Sequence, residues 1–388
     1  MAKPVKLLRI TTVPMSLRFL LRGHMKFLSS KGFEVLMASA DGKEVEDVVT
    51  YEGVPHYAFN ITRAITPITD LLTLIQLTRW MRRERFDIVH SHTPKAGLLA
   101  MLAARFAKVP VRMHTIAGIP WMEATGSKRK LLKFVDQLAY RAATNVYPNS
   151  TGLNDFVKKE GLVAESKLKV IGQGSSNGIN TSYFSADAVS QSSGELRAEL
   201  GVEATDFVFC FIGRVVKDKG LNELAAAFKD LPEHVKLVLV GPFEDELDPV
   251  SHETREFFNG DSRVHAVGYQ NDVRPFLKLS NALVFPTYRE GFPNVPMQAG
   301  AMGLPAIVSD INGCNEIIEH GLNGLIVPPK DTNALAEAMS KLTTDTSLMD
   351  GLKSNARRMI VERFDQQVVW EELYQEYLSL INSSDQHV

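Results

Sequence analysis

Short apolar runs alternate with helix-period segments along this chain, and the rhythm starts twice. In the first half the apolar runs fall at 7–12, 34–38, 87–91, 111–115, 145–148 and 168–171. Helical spacing fills the gaps, as at 15–30, 68–85, 97–107 and 128–143. A stretch rich in Ser and Ala, 182–194, interrupts the pattern. It then resumes with runs at 207–212, 236–240, 264–267, 282–286, 306–309 and 324–327. Apolar runs that do not alternate with polar residues suit strands buried on both faces, and each intervening helix supplies the crossover of a parallel sheet. The chain therefore reads as α/β, with two parallel-sheet domains facing a central cleft. At 388 residues it exceeds one ordinary core, so the halves are expected to fold separately, as 1–180 and 181–366.

Ligands of such sheets sit beyond the carboxyl ends of the strands, and the chemistry-bearing motifs fall there. After the run 282–286 comes Tyr288-Arg-Glu-Gly-Phe-Pro-Asn-Val-Pro-Met-Gln298. Gly291 and Pro293 break the chain, and a helix is expected from near Asn294. A helix start offers unpaired N–H groups and a positive dipole end, which hold phosphate. Glu290 beside it is placed to accept hydrogen bonds from hydroxyls, so a sugar nucleotide satisfies both features. An ordinary strand-to-helix turn is the plain alternative. Phe211-Ile-Gly-Arg-Val-Val-Lys-Asp-Lys-Gly-Leu221 follows another strand: Gly213 admits a ligand to the backbone, while Arg214 and Lys219 offer cations to phosphate oxygens. Many loops are simply basic and solvated.

Other strand ends carry weaker signals. The segment beginning Gly268-Tyr269 could meet a base through its backbone. In Asp310-Ile-Asn-Gly-Cys-Asn-Glu316, Glu316 is a second carboxylate or merely a first-turn helix residue. In His90-Ser-His-Thr-Pro-Lys95, the two histidines are expected on opposite strand faces, which disfavours a shared metal. His92 or Lys95 is the better candidate there, and His90 reads as packing. The acidic run from Glu244 to Asp248 reads as a solvated loop, not a metal site. Gly172-Gln-Gly-Ser-Ser-Asn-Gly178 lacks the last glycine of a dinucleotide fingerprint and opens no apolar helix, so it reads as a flexible crossing. Arg18, Arg22 and Lys26 are spaced to share one helix face beside Phe19, and 126–133 is basic. Anionic lipid or a lipid-linked phosphate would meet such a surface, and so would plain solvent.

Composition closes some options. Net charge is −2, so any basic surface is local. Cys210 and Cys314 imply no disulfide framework and fit a reducing cytoplasm. The first ten residues interleave charge with apolar residues, unlike a signal peptide.

Taken together, Gly213-Arg214…Lys219-Gly220, Glu290 through Gln298, Asp310 through Glu316, His90 through Lys95 and Gly174-Ser-Ser-Asn-Gly-Ile179 resemble the family-4 glycosyltransferases of the GT-B fold. The resemblance runs over nearly the whole chain, toward the branch that builds bacterial capsule, exopolysaccharide and lipid-linked glycans. It implies two Rossmann-like domains, with an acceptor-binding first domain onto which a C-terminal helix, 367–388, packs back. The second domain would bind the donor. It also implies sugar transfer with retention from a nucleotide sugar, here taken as a UDP-sugar, to a polyprenyl-diphosphate-linked saccharide. No metal and no cofactor are expected. The implied donor contacts are Arg214, Lys219, Glu290, Gln298 and the backbone around Phe292, Pro293, Asn294 and Val295, and the strand-end readings add Gly213, Tyr269 and Gly291 as candidates. The acceptor-side candidates are Arg18, Arg22, His92 and Lys95. The expected location is the cytoplasm, with peripheral contact at the anionic inner face of the membrane. Two departures stand out. Gln298 occupies the place of a second glutamate, and Ala117 stands where many members have a histidine, which leaves His92 as its substitute. A nucleotide-sugar epimerase on the same plan and a non-enzymatic sugar-binding protein remain as alternatives.

Overall fold

Among the described residues twelve strands form, eleven of them on the apolar runs. They are β1 Lys6–Ile10, β2 Glu34–Ser39, β3 His56–Ala58, β4 Ile88–Ser91, β5 Val111–Ile116, β6 Asn145–Pro148, β7 Phe207–Ile212, β8 Val235–Val240, β9 Val264–Gly268, β10 Ala282–Phe285, β11 Ala306–Ser309 and β12 Gly324–Val327. The structure, a computed structural model, describes residues 4–385 except 123 and 247, without the side chains of 120, 384 and 385. Leu247 of the acidic run and residues 1–3 and 386–388 of the expected terminal elements lie outside the described residues. Two six-stranded sheets result, ordered β3-β2-β1-β4-β5-β6 and β12-β11-β10-β7-β8-β9, and every pairing is parallel. Read from the first strand of each, the two orders are the same. In both, the chain reverses direction beside the first strand, at β1/β4 and at β7/β10.

The chain divides into two compact units. One holds the residues up to Asn177 together with those from Val369 on, and the other runs from Gly178 to Val368. The boundary thus lies at 177/178 rather than 180/181. In the first unit the central strands present Leu8 and Ile10 to one helical layer, which brings Leu77, Trp80, Leu99 and Tyr140. Leu7 and Met113 face the other side, packed against Leu17, Met25, Leu373 and Tyr377. The latter two come from the C-terminal helix Gln366–Asp385. The second unit has one continuous core spanning both faces of its sheet, from Phe209 and Phe211 to Ile307, Met339 and Ile360.

Three expectations fail locally. The expected helix over 15–30 breaks into Pro14–Leu20 and His24–Ser30. Gly23, at φ 85°, sits between them because the Trp370 ring leaves no room for a side chain: a Cβ there would lie 2.6 Å from it. Glu52 then caps the new helix start, accepting from the N–H groups of Gly23 (2.6 Å) and Lys26 (3.0 Å). Arg18, Arg22 and Lys26 consequently do not share one helix. The run 168–171 makes only an isolated bridge, from Val146 to Leu168. An edge strand, β3, was absent from the expectation.

Candidate functional site

In the second unit the loops after β7 and β10 meet at the strand reversal. β7 ends at Ile212, and Gly213-Arg214 leads to a single 3-10 turn, Lys217–Lys219. Gly220 follows at φ 72°, lying so close to Pro286 that any Cβ would overlap the Pro286 carbonyl oxygen. This contact presses the Lys219 turn against the end of β10. The backbone then locks the two loops, with Tyr288 N–H donating to the Asp218 carbonyl at 2.9 Å. Side chains add to it: Arg289 binds the Asp218 carboxylate at 3.0 Å, and the Tyr288 hydroxyl donates to Glu223 at 2.6 Å. Asp248 holds the turn from the other side, its carboxylate accepting from Asp218 N–H at 2.8 Å.

The outcome is an ion pair. Lys219 Nζ stands 2.5 Å from Glu290 Oε1, and both side chains are mostly covered, at 16% and 19% exposed. Thr287 donates its hydroxyl to the same carboxylate oxygen at 3.4 Å. Arg214 is more open, at 46% exposed, and its guanidinium binds Glu244 at 3.0 Å. The expectation of a solvated acidic loop thus needs amending, since Glu244 and Asp248 both hold parts of this site.

Helix Asn294–Ala301 starts beside Glu290, with Pro293 as its N-cap and no side-chain cap on its first N–H groups. Asn312 fixes the approach by donating to the carbonyls of Gly291 (2.7 Å) and Glu290 (3.3 Å). Gly313, at φ 76°, passes so near that a Cβ would lie 2.5 Å from the Gly291 oxygen. The side chains of Phe292 and Val295 pack on the core, Phe292 with its ring 5.4 Å from that of Phe364. Both side chains are therefore partly taken up by the core, while the backbone of the segment lies at the helix start. Gln298 is half-buried on the helix and Tyr269 is 70% exposed on its loop. Glu316 turns back to cap its own short helix, accepting from Gly313 N–H at 3.4 Å. Cys314 is buried near the pair, and burial first, then the Glu290 charge, pushes its thiol well up. Sequence reasoning missed Asp218, Arg289 and Asn312. Only Asn312, in Asn-Gly after a strand, carried a turn signal.

The reversal point of the first unit differs. Thr12 and Thr93 close it through their hydroxyls, 2.7 Å apart. Behind them lies a buried polar row on one sheet face. Arg9 and His90 are register partners in β1 and β4 and both bind the Tyr377 hydroxyl, His90 at 2.7 Å. His90 also bonds Thr115 at 2.8 Å. Contrary to expectation, His92 shares the face of His90, with ring centroids 4.2 Å apart, because side chains two apart on a strand point the same way. His92 is 4% exposed, and neither ring nitrogen has a hydrogen-bond partner. Burial and the nearby Arg9 charge hold it well below the usual histidine pKa. His114 is a packing residue, bonded to Ser91 at 2.8 Å and lowered to about 4 by burial. Lys95 is engaged, with Asp70 at 2.7 Å and bonds to Thr62, Ala64 and Thr66. Arg18 binds Asp47 at 2.8 Å, and Arg22 lies over the Tyr51 ring.

Comparison with known proteins settles the family. The family model described as "Glycosyl transferases group 1" matches residues 192–359, and "Glycosyl transferase 4-like domain" matches 23–174. The capsular polysaccharide biosynthesis glycosyltransferase CapM of Staphylococcus aureus is 32% identical over 387 residues, covering 99% of each chain. The UDP-Gal:alpha-D-GlcNAc-diphosphoundecaprenol alpha-1,3-galactosyltransferase of Escherichia coli is 28% identical over 347 residues, covering 88% of this chain and 87% of that one. Among solved structures, Anabaena HepE in complex with UDP and glucose superposes with a TM-score of 0.80 at 21% identity, covering 97% of this chain and 100% of that chain. That likeness shows the GT-B fold. With both halves matched and a full-length relative at 32% identity, the chain belongs to the group 1, family-4-like glycosyltransferases.

Proposed function

We propose that this glycosyltransferase moves a hexose or N-acetylhexosamine from a UDP-sugar to a hydroxyl of a polyprenyl-diphosphate-linked saccharide. In this reading transfer retains the anomeric configuration and needs no bound metal. The Lys219–Glu290 pair, at the β7/β10 reversal in front of an uncapped helix start, carries the proposal. Lys219, Arg214 and the first N–H groups of Asn294–Ala301 would take the diphosphate oxygens. Glu290 would accept from sugar hydroxyls, and Gln298 from the ribose. The backbone from Gly291 to Val295 would line the phosphate and sugar, with Gly213 admitting them and Tyr269 near the base. As the bond from C1 to the phosphate oxygen breaks, preorganised cations stabilise the charge growing on UDP. The acceptor oxygen bonds to C1 on the same face, and its proton passes to the departing phosphate. The names of the relatives support this choice: one uses UDP-Gal and a diphosphoundecaprenol acceptor, and one solved structure holds UDP.

On the acceptor side His92 is the candidate, neutral and with unpartnered nitrogens. Arg18, Arg22 and Lys95 would serve by charge, beside an anionic membrane surface on the cytoplasmic side. Glu290→Ala should abolish measurable transfer while circular dichroism stays unchanged, and near-normal turnover would remove Glu290 from the site. A thermal-shift screen should show UDP-sugars raising the melting point, since a ligand at 100 times its Kd adds about 2.7 kcal/mol. Stabilisation by GDP-mannose alone would overturn the donor assignment. Transfer should persist in EDTA, and loss restored by Mg²⁺ or Mn²⁺ would overturn the metal-free step.

A further inference from the structure

Helix Pro67–Glu84 is apolar on two faces, and only one of them is buried. Thr73, Leu77, Trp80 and Met81 pack into the first unit. Ile68, Leu71, Leu72 and Ile75 point out, at 80%, 58%, 56% and 40% exposed, with Ile65 just before them at 63%. Their spacing of three and four residues makes one continuous stripe on the free side. Scattered exposed aliphatics need no explanation, but a contiguous stripe marks a surface that something covers.

The fold fixes where this stripe lies. In a parallel layer the crossover helix begins at the carboxyl end of the preceding strand. The stripe occupies the first turns of the helix between β3 and β4, so it sits at the ligand end of the first sheet. Lys95, at the start of the helix after β4, ties the segment down through Thr62, Thr66 and Asp70. The stripe is thereby held beside the end of β4, next to Thr93.

Charge selects the occupant. Arg63 precedes the stripe, and Arg79, Arg82 and Arg83 follow it, all exposed. The acids of the same segment are neutralised, Asp70 by Lys95 and Glu84 by Lys6 and Arg83. A second helix of the same layer, Gly126–Ala142, repeats the combination with exposed Leu131 and Phe134 beside Lys128 and Lys130. Aliphatic tips flanked by cations match the boundary between acyl chains and anionic headgroups. Among the described residues no helix is long and apolar enough to cross a membrane, so this contact would lie in the interface.

We infer that the Ile65–Ile75 face is the surface by which the first unit docks on an anionic phospholipid bilayer, bringing the end of β4 to a lipid-linked acceptor. The inference rests on the reading that the acceptor is lipid-linked. Its test is flotation with vesicles of phosphatidylglycerol and phosphatidylethanolamine, which needs no sugar substrate and so separates the two. The wild type should float, less so at high salt, and Ile68→Asp/Leu72→Asp should bind at least about tenfold more weakly. Because both positions are exposed, its melting point should hold. If that variant fails to fold, Ile68→Ser/Leu72→Ser takes its place with the same expectation. Transfer to a short-chain, water-soluble acceptor should be unaffected, while transfer in vesicles should fall. Wild type that does not float, or a folded variant that floats like wild type, overturns the inference. So does a variant that floats normally but changes from dimer to monomer in sedimentation, which would make the stripe an interface between copies. Failure to transfer to any lipid-linked saccharide, with flotation intact, would instead overturn the acceptor reading.

Discussion

The two units share a strand order but not the chemistry at its reversal point. In the second, β7 and β10 end in a lysine–glutamate pair beside an uncapped helix start. In the first, β1 and β4 end in two threonine hydroxyls, with neutral imidazoles buried behind. The second unit is suited to an anion. In the first, the covered pair near the reversal, Lys95 with Asp70, ties the segment after β4 to the helix that carries the exposed aliphatic stripe rather than joining the two reversal loops. One topology thus fixes where a ligand goes, and the loops after two central strands decide what it is.

Of the changes that set one unit against the other, removing the cation of the second unit should have the largest effect. Lys219→Ala should lower kcat/KM by about 10²–10³, the cost of one preorganised donor at a developing charge. It also strands the Glu290 carboxylate, so UDP binding should weaken as well. The comparison breaks if Thr12→Ala or Thr93→Ala in the first unit, measured side by side, costs as much.

How far the sequence carried this contrast depended on how local each cause is. Strands β6, β7, β11 and β12 were legible to the residue, because continuous apolar runs between breakers leave little choice. β3 was not: it is a three-residue edge strand whose Tyr57 and Ala58 face solvent, so no apolar run marks it. The break at Gly23 was invisible because its cause, Trp370, arrives from the far end of the chain. Lys219 and Glu290 were named separately, and strand order alone brings them together. Asp218, which joins their loops largely through its backbone carbonyl, left no side-chain signature. The pairing of His90 with His92 was open to simple parity and was misjudged.

A second contrast is pH. His24, His90, His92 and His114 are buried in the first unit, all with lowered pKa and burial as the leading cause. The second unit has only half-buried His265 among its lowered histidines. A lowered pKa means that below 6.5 the unfolded chain binds more protons, so the stability present above 6.5 is lost as pH falls toward the folded value. For His114, at about 4, the loss at pH 5 is roughly 2 kcal/mol. Asp136, raised to about 6 by burial, and Glu52, also raised, oppose this, because the folded state holds their protons more tightly. The imidazoles outnumber them, so the first unit should open first in acid. All three tryptophans, Trp80, Trp121 and Trp370, lie in that unit. Their fluorescence should therefore change at higher pH than amide exchange in β7–β12, and coincident transitions would erase the contrast.

The smallest expected effect tests whether covering matters to the donor site. Arg214 and Glu244 form an ion pair like that of Lys219 and Glu290, but 46% and 31% exposed rather than 16% and 19%. Solvent screens such a pair, and exposed pairs contribute about 0.2–1 kcal/mol at most. Glu244→Gln should move the melting point by a degree or two and kcat/KM by less than about threefold, because the amide still accepts from Arg214. Raising the salt concentration should shrink even that difference. A loss as large as that of Lys219→Ala would mean that Glu244 orients Arg214 as tightly as Glu290 holds Lys219. The donor site would then depend on two positioned cations and not on one.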